Sequence, residues 1–279
     1  MKIAVTGATG FIGRALINTK SNEYQFMDLD LRRLNESGDY LMNRVKPDHI
    51  IHLAGKTYVP DSWKQPKTFY EVNLMGTQRV LDYCVDTGAS LTYVSSYVYG
   101  IPSSLPINEN HPVLANTPYN HSKWMGELLC EFYYHHFNVN VAVLRPFNIY
   151  GCNQSSAFLI PTILHQLKQS NTITIQSLAP RRDYLYIDDF IQALLLTTTF
   201  KGFGRFNVGY GKSVSVAEIV ELLIQVSGKE EVVVSSTEKK RENEVMDVVA
   251  DTSAFKKTFG WLPKTDMREG LHKMWLNNC

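Results

Sequence analysis

The stretch Lys2-Ile3-Ala4-Val5-Thr6-Gly7-Ala8-Thr9-Gly10-Phe11-Ile12-Gly13-Arg14-Ala15-Leu16-Ile17 decides the fold of this chain. Residues 2–6 read as a buried strand, glycines follow at positions 7, 10 and 13, and Ala15, Leu16 and Ile17 lead into an apolar-periodic helix. Gly7, Gly10 and Gly13, with Phe11 and Ile12 between them, permit a tight turn. They also let the backbone approach a pyrophosphate, whose charge is favoured by the amides at the helix start. The context supports a dinucleotide reading. Asp28 stands about 20 residues after Gly7, at the end of a second apolar run, where a carboxylate binds ribose hydroxyls and repels a 2′-phosphate. That favours NAD over NADP, with Arg32 and Arg33 close by as opposing charges.

Working outward, short apolar runs rich in β-branched residues recur at 24–27, 49–53, 91–95 and 139–144, separated by helix-length segments. Within those segments, Phe69, Val72, Gly76, Val80 and Cys84 fall at helical spacing over 68–85. Trp124, Leu128, Leu129 and Phe132 do so over 121–137. The alternation predicts an α/β fold, a Rossmann-like doubly wound parallel sheet covered by helices on both faces. Farther on, Ser215 followed three residues later by Glu218 has the form of a capping box opening a helix through Leu223. Past Gly151 the pattern becomes irregular and turn-rich. We therefore expect a dinucleotide-binding domain over 1–151, with 188–210 returning to it, and a smaller C-terminal α/β substrate-binding region over 152–279.

The chain is 279 residues long, 44% apolar and 20% charged, with a net charge of +1. That length buries a substantial core, and the charge balance gives no broad attraction to nucleic acid or anionic lipid. Cys84, Cys130, Cys152 and Cys279 form no CxxC pair, so neither a zinc site nor a disulfide framework is expected. The eight histidines occur in no metal-ligand spacing. With no apolar run of membrane-spanning length and no leader pattern, a cytoplasmic, metal-free enzyme is the expectation.

Proton chemistry is suggested by Tyr119 and Lys123, four residues apart at the head of a helix and so on one helical face. A neighbouring ammonium and an oxidised nicotinamide would favour phenolate. Ser95 closes a predicted strand whose C-terminal edge faces the crevice of the glycine turn, where a hydroxyl would hold a substrate oxygen beside the phenol.

The ordered motifs GATGFIG (7–13), HLAG (52–55), VSSYVYG (94–100), TPYNHSK (117–123), RPFNIYG (145–151), RDYLYIDD (182–189) and RENEVMDVVADTSAF (241–255) span nearly the whole chain. Together they resemble the extended short-chain dehydrogenase/reductase family of nucleotide-sugar epimerases, dehydratases and ketoreductases. The resemblance implies catalytic roles for Ser95, Tyr119 and Lys123, Lys123 also binding the nicotinamide ribose. It implies Asp39 and Tyr40 near adenine, Leu53, Ala54 and Gly55 bordering the cofactor, and Asn73 supporting it from the next helix. Pro146 and Ile149 would lie beside the nicotinamide, and Asn148 near the substrate phosphates. Ser96 joins Ser95 among the substrate contacts, while Arg182 and Arg241 match the family's diphosphate-contacting arginines.

The implied cofactor is NAD or NADP and the implied partner a nucleotide sugar. The helices over 68–85 and 121–137 resemble the pair that the family packs into a two-fold homodimer. Three activities follow from these residues: a 4-ketoreductase, a 4-epimerase, and a protein that senses the dinucleotide without turnover. Family dehydratases place Asp-Glu directly after the catalytic hydroxyl. Ser96 and Tyr97 stand there, which speaks against a 4,6-dehydratase. The stretch 59–77 is similar to reductases of GDP- and dTDP-linked 4-keto-6-deoxy sugars, and the chain is shorter than typical epimerases, so the reductase leads.

Overall fold

The computed structural model describes residues 1–19, 24–31, 46–237 and 245–277. The chain divides into two compact units. Met1–Gly100, Pro112–Pro146 and Ile191–Asn207 form the first, and Ile101–His111, Phe147–Phe190 and Val208–Cys279 the second. The expected boundary at Gly151 falls a few residues beyond the division at Pro146, and the return segment expected over 188–210 compares with 191–207. The stretch Ile101–His111, expected in the first domain, groups with the second unit, to which the Ile107 amide is tied by a bond to the Val249 carbonyl.

The first unit is built on β1 (Lys2–Thr6), β2 (Gln25–Asp28), β3 (His49–His52), β4 (Ser90–Val94) and β5 (Val141–Pro146), joined by β9 (Phe203–Val208). The sheet order is β2-β1-β3-β4-β5-β9, and the pairings of β2 with β1, β1 with β3, β3 with β4 and β4 with β5 are all parallel. The expected parallel sheet is therefore present. The residues of β3, β4 and β5 are buried throughout, which is why they read as continuous apolar runs rather than alternating ones. The order reverses at β1, with β2 on one side and β3 on the other. In open α/β sheets a crevice opens beyond the strand ends at such a reversal.

Two helices of this unit depart from the expected pattern. The helical run over 66–87 consists of α3 (Pro66–Phe69), a π-helical segment (Tyr70–Met75) and α4 (Gly76–Thr87). The wider turn shifts the inward face by one position, so Asn73 is buried while Val72, expected on the apolar stripe, is only half-buried.

In α5 (Pro118–Phe137) the inward face is polar. Ser122, Lys123, Gly126, Glu127, Cys130 and Tyr133 are buried, whereas Leu128 and Phe132 are 43% and 50% exposed. Of the expected stripe, Leu128 and Phe132 face outward, whereas Leu129 packs against the core and Trp124 is half-buried against Arg145 and Arg205, because the sheet side of the helix is shared with charged groups that satisfy one another.

In the second unit, β6 (Asn148–Tyr150), β8 (Arg181–Tyr186) and β10 (Ser213–Ser215) form a sheet ordered β10-β8-β6, and β7 (Thr172–Ile175) pairs in parallel with β11 (Val233–Ser236). The capping box is present. The Ser215 hydroxyl accepts from the Glu218 amide at 3.1 Å, the Glu218 carboxylate accepts from the Ser215 amide at 2.7 Å, and α8 (Val216–Ser227) follows. Cys84 and Cys130 are buried free thiols, but Cys152 is disulfide-bonded, against the expectation drawn from cysteine spacing. Spacing along the chain does not report which cysteines tertiary folding brings together. No helix among the described residues is long and apolar enough to cross a membrane.

Candidate active site

The glycine turn is shaped by steric necessity. Gly7 has a φ of +71°, and a Cβ there would lie 2.8 Å from the Ala54 amide nitrogen; a Cβ on Gly13 would collide with the Gly7 carbonyl. Only glycine lets the turn after β1 press against the Leu53-Ala54-Gly55 segment after β3. The turn is fastened by a polar relay. The Thr6 hydroxyl accepts from the Leu53 and Ala54 amides at 3.1 Å each and lies 2.6 Å from His52 Nδ1. His52 Nε2 lies 3.1 Å from the Thr77 hydroxyl, which donates to the Asn73 carbonyl at 2.6 Å. This network assigns Nδ1 as the acceptor and Nε2 as the donor. Burial, reinforced by the Lys123 charge, brings the His52 pKa down to about 3, so the ring is neutral.

Beside the turn lies a cavity of about 460 Å³ lined by Gly7, Ala8, Thr9, Ala54 and Gly76, with Asp28, Asp30, Glu71 and Arg79 as its charged residues. Its shape and glycine-cleared floor fit the adenosine and pyrophosphate part of a dinucleotide. Its carboxylates, Asp28 at the end of β2 among them, fit ribose hydroxyls better than a 2′-phosphate. Asp39, Tyr40, Arg32, Arg33 and Arg241 lie outside the described residues.

Tyr119 and Lys123 occupy the first turns of α5, whose start is fixed by Pro118 and by the Thr117 hydroxyl accepting from the Asn120 amide at 3.0 Å. The Lys123 ammonium is buried, donates to the Val94 carbonyl at 2.8 Å, and has its pKa pulled down to about 8 by burial. Lys123 Nζ lies 3.3 Å from where a Cβ on Gly55 would stand, so that glycine keeps the lysine's approach open. Asn73 supports the same corner. Its Oδ1 accepts from the Lys56 amide at 2.8 Å, and its Nδ2 donates to the Ser122 hydroxyl at 2.9 Å.

The Tyr119 phenol is raised above its ordinary range by burial; a hydrogen bond from Ser96 partly offsets this and Tyr97 adds to it. In the chain without dinucleotide, burial outweighs the depression expected from Lys123 together with an oxidised nicotinamide.

The two serines part company. Ser95 is buried and its hydroxyl donates to Glu127 Oε1 at 2.5 Å. Ser96 is half-buried. Glu127 also accepts from Arg145 at 2.7 Å and Arg205 at 3.2 Å, and Arg145 donates to the Tyr99 hydroxyl at 2.8 Å. The sequence reading did not single out Glu127, although it stands one further i, i+4 step along the Tyr119–Lys123 face.

In the second unit, Asn148 Nδ2 donates to the Asp183 carbonyl at 3.2 Å, and Arg182 Nη1 donates to the Arg181 carbonyl at 2.8 Å. Asp183, also missed, is fully buried. Its carboxylate accepts from the Tyr210, Gly211 and Ala250 amides at 2.6, 2.9 and 3.0 Å. Pro146 ends β5, while Ile149 lies in β6.

Residues 14–274 match the GDP-mannose 4,6 dehydratase family. The chain belongs to that family. GDP-6-deoxy-D-mannose reductase of Pseudomonas aeruginosa is 29% identical over 97% of this chain and 94% of its own. A putative UDP-glucose 4-epimerase of Methanocaldococcus jannaschii is 28% identical over 99% and 98%. Among solved structures, RMD of Pseudomonas aeruginosa complexed with NADPH superposes with a TM-score of 0.90 at 27% identity, covering 99% of this chain and 98% of that one. The family resemblance stated from the motifs therefore holds. It places the chain among nucleotide-sugar reductases, epimerases and dehydratases.

Proposed function

We propose that the protein is an NAD(P)-dependent reductase of a nucleotide-linked 4-keto-6-deoxy sugar. The carrying observation is the end-to-end likeness to the GDP-6-deoxy-D-mannose reductase of Pseudomonas aeruginosa, with RMD of that organism superposing at a TM-score of 0.90. Tyr119, one helical turn from Lys123 at the head of α5, supports this reading as the proton donor that hydride transfer requires. So does the absence of a carboxylate at the two positions after either serine, which speaks against dehydration.

A bound reduced nicotinamide supplies hydride to C4. Tyr119 gives its proton to the developing alkoxide. Lys123, buried next to the glycine corner, would hold the nicotinamide ribose and supply positive charge on the helical face it shares with Tyr119. Gly7, Gly10, Gly13 and Asp28 hold the dinucleotide, favouring NAD. Arg182 and Asn148, together with Arg241, bind the substrate diphosphate through charge-assisted contacts.

The alternative is a 4-epimerase, favoured by the end-to-end match to the Methanocaldococcus jannaschii relative. Stoichiometric consumption of reduced nicotinamide with a 4-keto-6-deoxy nucleotide sugar is the expected result. Turnover of a UDP-hexose with bound NAD undepleted would establish the epimerase instead.

We further propose a two-fold homodimer, in which the outward apolar residues Met75, Val85, Leu128, Phe132 and Phe137 are covered by the same face of a second copy.

A further inference from the structure

A line of buried polar side chains runs from the glycine turn to the head of α5. Thr6, His52, Asn73, Thr77 and Ser122 are each 0–1% exposed, and they stand on β1, β3, the π-helical segment, α4 and α5. Counting hydrogens fixes the direction of the bonds between them. Thr77 has one hydroxyl hydrogen, which goes to the Asn73 carbonyl at 2.6 Å. Towards His52 Nε2, 3.1 Å away, the same hydroxyl is therefore an acceptor, and Nε2 carries the ring proton. At the far side of the ring, Thr6 has its lone pairs occupied by the Leu53 and Ala54 amides at 3.1 Å each, which leaves its hydrogen for Nδ1 at 2.6 Å. Both ends demand the same neutral tautomer.

The line continues through Asn73, which the π-helical segment turns inward. Its Oδ1 accepts from the Lys56 amide at 2.8 Å, which sets the orientation of the side-chain amide, and its Nδ2 donates to the Ser122 hydroxyl at 2.9 Å. Ser122 donates in turn to the Tyr119 carbonyl at 2.7 Å. All the bonds from Thr6 to Tyr119 thus point one way. Asn73 receives at its main-chain carbonyl and gives from its side chain, so the line transmits position and not protons. At one end, Thr6 holds Ala54, which with Gly7 lines the cavity beside the glycine turn; at the other stands the first turn of α5.

We propose that Thr6, His52, Thr77, Asn73 and Ser122 are positioning residues, a relay through which occupation of the glycine-turn cavity fixes the head of α5 and with it Tyr119 and Lys123. A contiguous buried network with one allowed set of bond directions is a physical route for such coupling. The inference rests on the reading of the cavity as the dinucleotide site and of Tyr119 as the proton donor.

The test uses the full chain and ADP, which carries the adenosine and pyrophosphate but lacks the nicotinamide half. Hydrogen exchange of the amides of residues 119–123 is compared with and without saturating ADP, whose affinity is measured by calorimetry. ADP should slow that exchange in the wild type by ~5-fold or more, the lower scale of coupling between two sites. Thr77→Val, which removes the hydroxyl at constant shape, should bind ADP as before and lose the slowing; Thr77→Ser should restore it. Ser122→Ala cuts the last link while leaving Thr6, His52 and Thr77 bonded, and should lose the slowing too, so the test stands even where Thr77→Val does not fold. With a 4-keto-6-deoxy nucleotide sugar, each cut should lower kcat on the order of 10-fold at unchanged KM, as a small misplacement does, and the double variant should lose no more than either alone. Nitrogen-15 NMR of the wild type should find the His52 proton on Nε2.

Slowing by ADP that is absent from the wild type, or that survives in Ser122→Ala, would overturn the relay. So would a proton on Nδ1, an unchanged kcat, or additive losses in the double variant. Failure of the reductase reading shows differently, as wild-type protein without turnover of the keto sugar, and the exchange and tautomer measurements, which use no sugar, still decide. Wild-type protein that binds no ADP would instead refute the dinucleotide site itself, and the proposal with it.

Discussion

Asp183 makes the stability of the second unit depend on pH in an unusual direction. Its carboxylate is fully buried, and burial pushes its pKa up from the ordinary aspartate value of 3.8 to about 6, against the opposing pull of three backbone amides. A carboxyl whose pKa is raised on folding is bound more tightly to its proton in the folded state. Its stabilisation is therefore complete below pH 4 and is lost as pH rises through about 6. The shift of about two pKa units, at 1.36 kcal/mol each, corresponds to about 3 kcal/mol, most of it lost between pH 4 and pH 7. Against a typical net stability of about 5–15 kcal/mol, that is a large share.

Asp183→Asn cannot titrate, so its stability should lack this slope. It should also be less stable at low pH, since its amide group leaves at least one of the Tyr210, Gly211 and Ala250 amides unpaired, at a cost of about 1–3 kcal/mol. Urea unfolding of both proteins from pH 4 to pH 7 gives a difference in which other groups cancel. The wild-type advantage should shrink by about 2–3 kcal/mol across that range. An advantage that stays constant or grows with pH would refute the reasoning and show that the three amides outweigh burial.

Tyr119→Phe should lower kcat by ~10²- to 10⁴-fold with dinucleotide affinity nearly unchanged, because only the proton-transferring hydroxyl is removed; near-normal turnover in a stopped-flow hydride-transfer assay would contradict it. Asp28→Ala should narrow the preference for NAD over NADP by on the order of 10-fold in paired cofactor titrations, without abolishing it, because Asp30 and Glu71 remain in the same cavity. Arg182→Ala should weaken calorimetric binding of the nucleoside diphosphate alone while dinucleotide binding persists, and wild-type affinity would remove the arginine from the diphosphate site. Phe132→Glu should convert a dimer at micromolar concentration into a monomer by light scattering, and a wild-type protein that is already monomeric would end the homodimer proposal.

The sequence by itself determined everything carried by periodicity and turn chemistry within one element. The strand, glycine turn and helix at 2–17, the buried runs of β3, β4 and β5, the shared helical face of Tyr119 and Lys123, and the Ser215–Glu218 capping box all depend on residues close together in the chain. Local sterics and hydrogen bonding suffice to specify them. Tertiary structure alone decided that Ser95 is tied to Glu127, because its hydroxyl finds that acceptor 32 positions away on another element. It also decided that Leu128 and Phe132 of α5 face outward, since part of the sheet side was claimed by Glu127, Arg145 and Arg205, which neutralise one another only when α5, β5 and β9 are brought together. Asp183 was hidden for the same reason. Its amide donors stand 27, 28 and 67 positions away, and no pattern local to β8 distinguishes a carboxylate that will be buried from one that will face water.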